Sequence, residues 1–354
     1  MAWTAFSDTF PTPRRGRLIL VALCLLLLCG GAWAETRTLT DMGGRKVPVP
    51  RKVQRILITC YGGASHEVAA LGGADRVVGQ PDMKRFPTLL ALFPRFAGTP
   101  DAGSFDGVNV EEALRLKPDV VVASVTSPKG NKQLEEAGLP VVQVLTGLAD
   151  LNRAKEEFLL MGALLGNPRQ ARKLVDTWDR KLALLKNRLA GVPEKQRKRV
   201  YYMRKDPFDT EGSAWWGETL IRTAGGINVA SELGKARAVN AEQLLAWNPD
   251  VILISCNTGS SATKQDLEHN PQLRNLRAVK EGNLHYCPIG AFWWDRPSPE
   301  AVLGFLWLAK TLYPERFLDL DLKKETRDFY AAFYGSAPAD ARIEGFFDPL
   351  GSRR

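Results

Sequence analysis

The chain has 354 residues, 45% of them apolar and 25% charged, with a formal net charge of +9 at pH 7. That length is enough for two domains with their own cores, and no segment is of low complexity. The basic residues are scattered apart from Lys195, Arg197, Lys198 and Arg199, with no aromatic-interleaved basic stripe, which argues against a nucleic-acid partner.

Arg14, Arg15 and Arg17 precede an apolar run over 18–28, and Ala32-Trp33-Ala34 forms a small-x-small site before Glu35. This predicts a secretory signal peptide over 1–34, cleaved after Ala34, and a mature protein outside the cytoplasm. The run is short for a membrane anchor. A lipid anchor at Cys29 lacks the small residue expected before it, because Leu28 stands there. Removing the segment removes +2 of charge and leaves about +7.

A hairpin is expected over 38–49, then a buried strand over 55–59 and a helix over 65–71 stopped by Gly72-Gly73. A short strand follows over 77–79. At 108–120 the sequence reads Val-Asn-Val-Glu-Glu-Ala-Leu-Arg-Leu-Lys-Pro-Asp-Val, and a related segment returns 131 residues later at 239–251. In each copy Asn caps a helix, with Glu112 or Gln243 at the capping-box position, and a proline ends it. Branched apolar strands follow over 120–123 and 251–255. The spacing is that of a duplicated lobe rather than a solenoid repeat. A helix over 131–137 and a strand over 141–145 complete the first lobe.

Apolar residues at Phe158, Met161 and Leu165, then Leu174, Trp178, Leu182, Leu185 and Leu189, predict a long helical segment in which Pro168 starts or kinks the second part. The second lobe restarts with a strand over 199–203 and a helix over 215–224 closed by Gly225-Gly226. A strand over 284–286 and helices over 299–312 and 323–333 follow. Strands alternating with helices predict an α/β fold of two Rossmann-like lobes with central parallel sheets. The expected organisation is a first lobe over 35–150, a connecting helix over 151–192 and a second lobe over 193–354.

Ligands in such sheets sit beyond the carboxyl ends of the strands. That rule selects the loops 60–63, 104–105 and 124–126 from the first lobe, with Tyr61 and Phe105. From the second it selects the loops 203–205, 255–257 and 291–296, with Arg204, Trp293, Trp294 and Arg296. Trp215 and Trp216, at a helix start near Ser213, are further candidates. Indole rings offer broad contact and arginine grips oxyanions bidentately. The stretch Trp293-Trp294-Asp295-Arg296 is the least ordinary of the chain. Catalytic patterns are thin: no G-x-S-x-G, P-loop or HExxH occurs. With His66, His269 and His285 as the only histidines, neither a bare metal site nor an enzyme is expected. Cys256 and Cys287 are a candidate disulfide pair, leaving Cys60 as the odd thiol. Glu111 and Glu242 lie at equivalent places in the two copies, where they complement the helix dipoles. A matched pair of carboxylates also suits a symmetric partner.

Taken in order, Leu71-Gly72-Gly73-Ala74-Asp75-Arg76-Val77-Val78-Gly79, Leu116-Lys117-Pro118-Asp119-Val120, the long central helix and Ala224-Gly225-Gly226-Ile227-Asn228-Val229 resemble the periplasmic substrate-binding proteins of ABC importers for ferric siderophores, haem and cobalamin. The resemblance covers nearly all of the chain after residue 34. It implies two lobes joined by one rigid helix, a ligand held between them with little closure, and a monomer without a cofactor. It also implies that Glu111 and Glu242 dock onto arginines of an ABC permease dimer, and that the loop 293–296 touches a small-molecule metal complex. An oxyanion such as molybdate on the same scaffold is the alternative. An exported metal-handling protein or enzyme using Cys60, Cys256 and His66 is another.

Overall fold

In the computed structural model, Met1 and residues 35–146, 150–257 and 262–350 are described. Apart from Met1, the expected signal peptide, Cys29 included, lies outside them. The chain opens with a two-stranded sheet of β1 (Thr36–Thr40) and β2 (Lys46–Pro50). The first lobe then runs β3 (Ile56–Ile58), α1 (Ala64–Ala70), β4 (Val77–Gly79), α2 (Pro87–Leu92), α3 (Val110–Arg115), β5 (Val120–Ser124), α4 (Pro128–Glu136) and β6 (Val141–Val144). Its four strands are all parallel, in the order β4-β3-β5-β6. Strands buried on both faces explain the unbroken branched apolar runs.

The second lobe repeats the plan. β7 (Arg199–Met203), α7 (Trp216–Thr223), β8 (Ile227–Asn228), α8 (Ala241–Trp247), β9 (Val251–Ile254) and β10 (Leu284–Tyr286) give a parallel sheet ordered β8-β7-β9-β10. Two short helices, α9 (Gln265–Glu268) and α10 (Arg277–Lys280), lie between β9 and β10. In both sheets the first strand sits between the second and the third, so strand order reverses between β3 and β5 and between β7 and β9.

The connecting segment divides into α5 (Leu151–Leu164) and α6 (Pro168–Leu189). Asp150 caps α5 by accepting from the amides of Asn152 (2.8 Å) and Arg153 (2.9 Å). Gly162 lets the two helices approach: a Cβ there would stand 2.2 Å from that of Ala171. The 22 residues of α6 span about 33 Å. Its Trp178 is fully buried, stacks edge-on against Phe158 and Phe305, and donates Nε1–H to Pro299 O at 3.0 Å. That side chain ties the connector to the second lobe. Helices α11 (Ala301–Leu312), α12 (Leu322–Phe333) and α13 (Asp340–Phe347) close the chain. They reach back to the first lobe, where the Tyr334 ring lies 6.1 Å from that of Phe93. Among the described residues no helix is long and apolar enough to cross a membrane.

The duplicated segment is held by the same contacts twice. Asn109 and Asn240 cap α3 and α8, accepting from the amides of Glu112 (3.0 Å) and Gln243 (2.8 Å). The reciprocal half of each expected capping box is not formed. Glu112 pairs with Arg115 instead, and Gln243 donates to Glu232. Each helix stops at a residue of positive φ, Lys117 or Asn248, immediately before the proline. The aspartate after the proline pins the start of the lobe's first strand: Asp119 accepts from the Arg55 amide at 2.9 Å, and Asp250 from that of Arg199 at 2.9 Å. Those two arginines also donate to carbonyls at the helix ends, Leu116 O and Trp247 O.

One face of each sheet enters a common core. Ile56, Ile58, Val120 and Val122 share a hydrophobic cluster with Val200, Tyr202, Val251 and Leu253 across Trp178 and Phe305. The opposite faces build smaller clusters confined to their own lobe, around Leu57 and Val121 and around Tyr201 and Ile252. Helices α2, α9, α10 and α13 and the strand β8 are not foreseen from the sequence. Cys60, Cys256 and Cys287 are all thiols, so the expected Cys256–Cys287 disulfide is absent. Burial pushes the Cys60 and Cys287 thiols well above their ordinary value.

Candidate functional site

A cavity of about 350 Å³ opens where the carboxyl ends of both sheets meet. Gly62 follows β3, Thr126 follows β5 and Thr146 follows β6 on its first-lobe side. Arg204 follows β7 on the other, with Trp215, Arg237, Phe292, Trp293, Arg296 and Pro297. Strand ends at the point where strand order reverses are where open parallel sheets hold ligands.

Three guanidinium groups share one buried carboxylate. Glu211 is fully buried and accepts from Arg296 Nη1 at 2.8 Å and from the Gly217 amide at 3.0 Å. Arg204 Nε stands 3.4 Å away and Arg237 Nη2 3.9 Å away. Burial alone would push the Glu211 carboxyl up, but the charge and hydrogen bond of Arg296, the Gly217 amide and Arg204 hold it below the usual carboxylate range. Arg204 also pairs with Asp209 at 2.9 Å. Arg296 has its side chain 18% exposed. It lies over the Tyr202 ring, and with the Asn257 amide oriented to present its oxygen, Nε and Nη2 donate to it at 3.0 and 2.6 Å. Burial works against its charge, but Tyr202, Glu211 and Asp295 outweigh that and raise its affinity for the proton.

Arg237 is the least compensated of the three. Its guanidinium stacks 3.6 Å from the centre of the Trp215 ring. Nε is buried without a hydrogen-bond partner among the described residues. Burial, then the like charges of Arg204 and Arg296, lower its pKa against the pull of Glu211. An anion entering the cavity relieves that repulsion.

The loop carrying Trp293 is fixed from beneath by Glu300. Its carboxylate accepts from the amides of Ala291 (3.1 Å) and Phe292 (3.2 Å), from Trp294 Nε1 (3.0 Å) and from the hydroxyls of Tyr330 and Tyr334 (2.8 Å each). From the first lobe, neutral His66 donates Nε2–H to Ala291 O at 2.8 Å and packs against Phe86 and Phe292. Burial lowers its pKa from the ordinary 6.5 to about 3. Trp293 lies 4.8 Å from Phe86 and 4.9 Å from Phe292, ring centre to ring centre.

Of the expected site residues, Arg204, Trp215, Trp293 and Arg296 line this cavity together. Trp216 and Trp294 do not. Trp216 is 1% exposed against Phe305, and Trp294 is fully buried on Glu300. Neighbouring side chains of extended backbone point to opposite sides, and Trp215 has extended dihedrals. In each pair one indole meets the cavity while the other fills the core. Tyr61 and Phe105 do not line the cavity and pack on the common core instead, their rings 6.4 Å apart with Arg85 over Tyr61 at 4.7 Å. Gly62, Thr126 and Phe292 lie in the strand-end loops selected from the sequence, whereas Arg237, Glu211 and Thr146 escape sequence reasoning. The loop-end rule applied also to the end of β6 could have named Thr146, whereas no motif marks Arg237 or Glu211. Among the described residues no group of three or more His, Cys, Asp and Glu side chains is placed to hold a metal.

The sequence matches the family model described as periplasmic binding protein over residues 58–289. The molybdate-binding protein MolA of Haemophilus influenzae is 31% identical over 340 residues, covering 89% of this chain and 95% of that protein. Its solved structure, bound to molybdate, superposes with a TM-score of 0.76 at 28% identity, over 86% of this chain and 99% of that one. A periplasmic solute-binding protein of Veillonella parvula has a TM-score of 0.78 at 26% identity, covering 89% and 97%. With the family model matched over more than half its length, the chain belongs to the periplasmic binding proteins.

Proposed function

We propose that this protein captures an oxyanion of the molybdate class outside the cytoplasm and delivers it to an ABC import permease. The observation that carries this is the convergence of Arg204, Arg237 and Arg296 on one cavity with Thr126 and Thr146. Guanidinium groups match oxyanions bidentately, and each charge-assisted hydrogen bond contributes about 1.5–3 kcal/mol net. A cationic wall repels bare metal ions. The volume is at the small end of ligand pockets, which run from about 300 to 1,000 Å³. Both points favour a compact anion over the haem-sized or corrinoid ligand that the motifs first suggested. The relationship to MolA supports the same choice. An iron chelate small enough to meet the arginines and lie between Trp215 and Trp293 is the second reading, favoured by those indole walls.

Titration of intrinsic tryptophan fluorescence separates the two. Trp215 and Trp293 line the cavity, so saturable change with molybdate or tungstate, and none with ferric chelates, haem or cobalamin, is the expected result. Saturation by a chelate alone overturns the oxyanion reading.

Docking is assigned to the two repeat copies. Glu111 and Glu242 are exposed and have no ion-pair partner among the described residues. One turn further on stand Leu114 and Leu245, 45% and 41% exposed, again at equivalent positions. A carboxylate beside an exposed leucine, presented twice, fits a two-fold permease that offers a cation and an apolar recess at each subunit. Glu111→Ala combined with Glu242→Ala should abolish transport and leave oxyanion affinity intact. Transport that survives both changes removes this assignment.

A further inference from the structure

Four described non-glycine residues have positive φ: Phe105 (53°), Lys117 (46°), Thr146 (46°) and Asn248 (38°). Lys117 and Asn248 are the helix-ending residues of the two repeat copies. Thr146 has no such excuse. A β-branched residue is poorly suited to the left-handed region, and such a conformation persists only where its surroundings over-determine it.

The surroundings are explicit. Gly62, itself at φ 91°, leaves no room: a Cβ on it would stand 3.0 Å from Thr146 Cα. Thr146 Oγ1 lies 2.5 Å from Ser124 Oγ, and Thr126 Oγ1 lies 2.7 Å from the same atom. Ser124 is fully buried and its Oγ also accepts from the Thr126 amide at 3.0 Å. A serine hydroxyl has one proton and two lone pairs. With one lone pair taken by the amide, Ser124 accepts from one threonine and donates to the other. The second threonine then keeps its own proton, and both threonines line the cavity.

Building on the oxyanion reading, we propose that Ser124 and the left-handed Thr146 form a hydroxyl relay with Thr126 that aims one neutral donor into the cavity, and that this donor is the first lobe's contact with the bound oxyanion. The second lobe provides guanidinium charge; the first provides a directional uncharged bond. Backbone strain at Thr146 is what places its hydroxyl on the relay.

The relay predicts that stability and binding move apart. Thr146→Gly removes the hydroxyl and the strain together. Its unfolding midpoint should be unchanged or higher than wild type, while molybdate affinity by calorimetric titration falls about five- to tenfold. Thr146→Ser, which keeps the hydroxyl, should bind within about twofold of wild type, and Ser124→Ala should weaken binding as Thr146→Gly does. Wild type that binds molybdate while Thr146→Gly binds equally well overturns the relay and leaves the oxyanion reading standing. Wild type that binds no oxyanion overturns both. Loss of stability and of affinity together in Thr146→Gly, with no recovery in Thr146→Ser, assigns Thr146 a purely structural part and also overturns the relay.

Discussion

Acidification from pH 7.5 to 5 should weaken the junction between the lobes at His66 by a calculable amount. The ring is 1% exposed and, among the described residues, its one hydrogen bond is to Ala291 O. Burial takes its pKa from 6.5 to about 3, slightly opposed by that carbonyl. Between those values the unfolded chain holds a proton that the folded protein does not. Stability from this group is therefore complete above pH 6.5 and is lost as pH falls toward 3. At pH 5 the unfolded pKa is about 1.5 units higher, which corresponds to a loss of about 2 kcal/mol. Glu300 acts in the opposite direction. Burial pushes it up to about 7 against the pull of Tyr330, Tyr334 and Trp294, so folding gains from acidification between pH 7 and the ordinary carboxylate range. The change His66→Gln keeps an N–H for Ala291 and removes only the titration, so the contribution of Glu300 cancels in the comparison. Urea unfolding of both proteins at pH 7.5 and 5 should show wild type losing about 2 kcal/mol more than the variant. Equal losses would refute the assignment of a buried neutral imidazole.

Arg237→Gln should weaken oxyanion binding at least tenfold, because a charge-assisted bond is worth about 1.5–3 kcal/mol; it should shift the unfolding midpoint little, since its contact with Glu211 is 3.9 Å. Trp294→Phe removes one of the five donors to Glu300 and should destabilise by about 1–3 kcal/mol in urea unfolding with oxyanion affinity unchanged. Asn109→Ala and Asn240→Ala should each cost about 1 kcal/mol, read by thermal unfolding. In the double variant the two losses should add, because the caps lie in different lobes.

Much of the scaffold was readable because it is local. Asn-capped helices, the proline stop and the branched strand after it are determined within a dozen residues. Finding them twice forces two sheets of the same order. The strand-end rule then reached the loops that carry Gly62, Thr126, Arg204, Phe292, Trp293 and Arg296. What stayed hidden depends on distance in sequence. Glu211 sits in an irregular segment without periodicity, yet it binds Arg296 across 85 residues of chain and gathers Arg204 and Arg237 beside it. The capping boxes fail for a different, local reason: Arg115, three residues on, takes the side chain of Glu112, and Glu232 takes that of Gln243. In each tryptophan pair the sequence holds two identical indoles, and only the direction of the backbone separates cavity from core. The cysteines of the second lobe looked pairable because both follow strands of one sheet, which says nothing about whether their sulfur atoms meet.

The common core beneath the two sheets has a consequence for how the duplicated halves coexist. Val200, Tyr202 and Leu253 lie in the same apolar mass as Ile56 and Val122, and the last three helices fold back to complete it. Cutting the chain at the connector would expose one face of each sheet to water. Neither half is thus a folding unit on its own, and heat or denaturant should melt both in a single transition. A sequence that still advertises its two copies belongs to a molecule in which neither copy can be excised, exchanged or evolved alone.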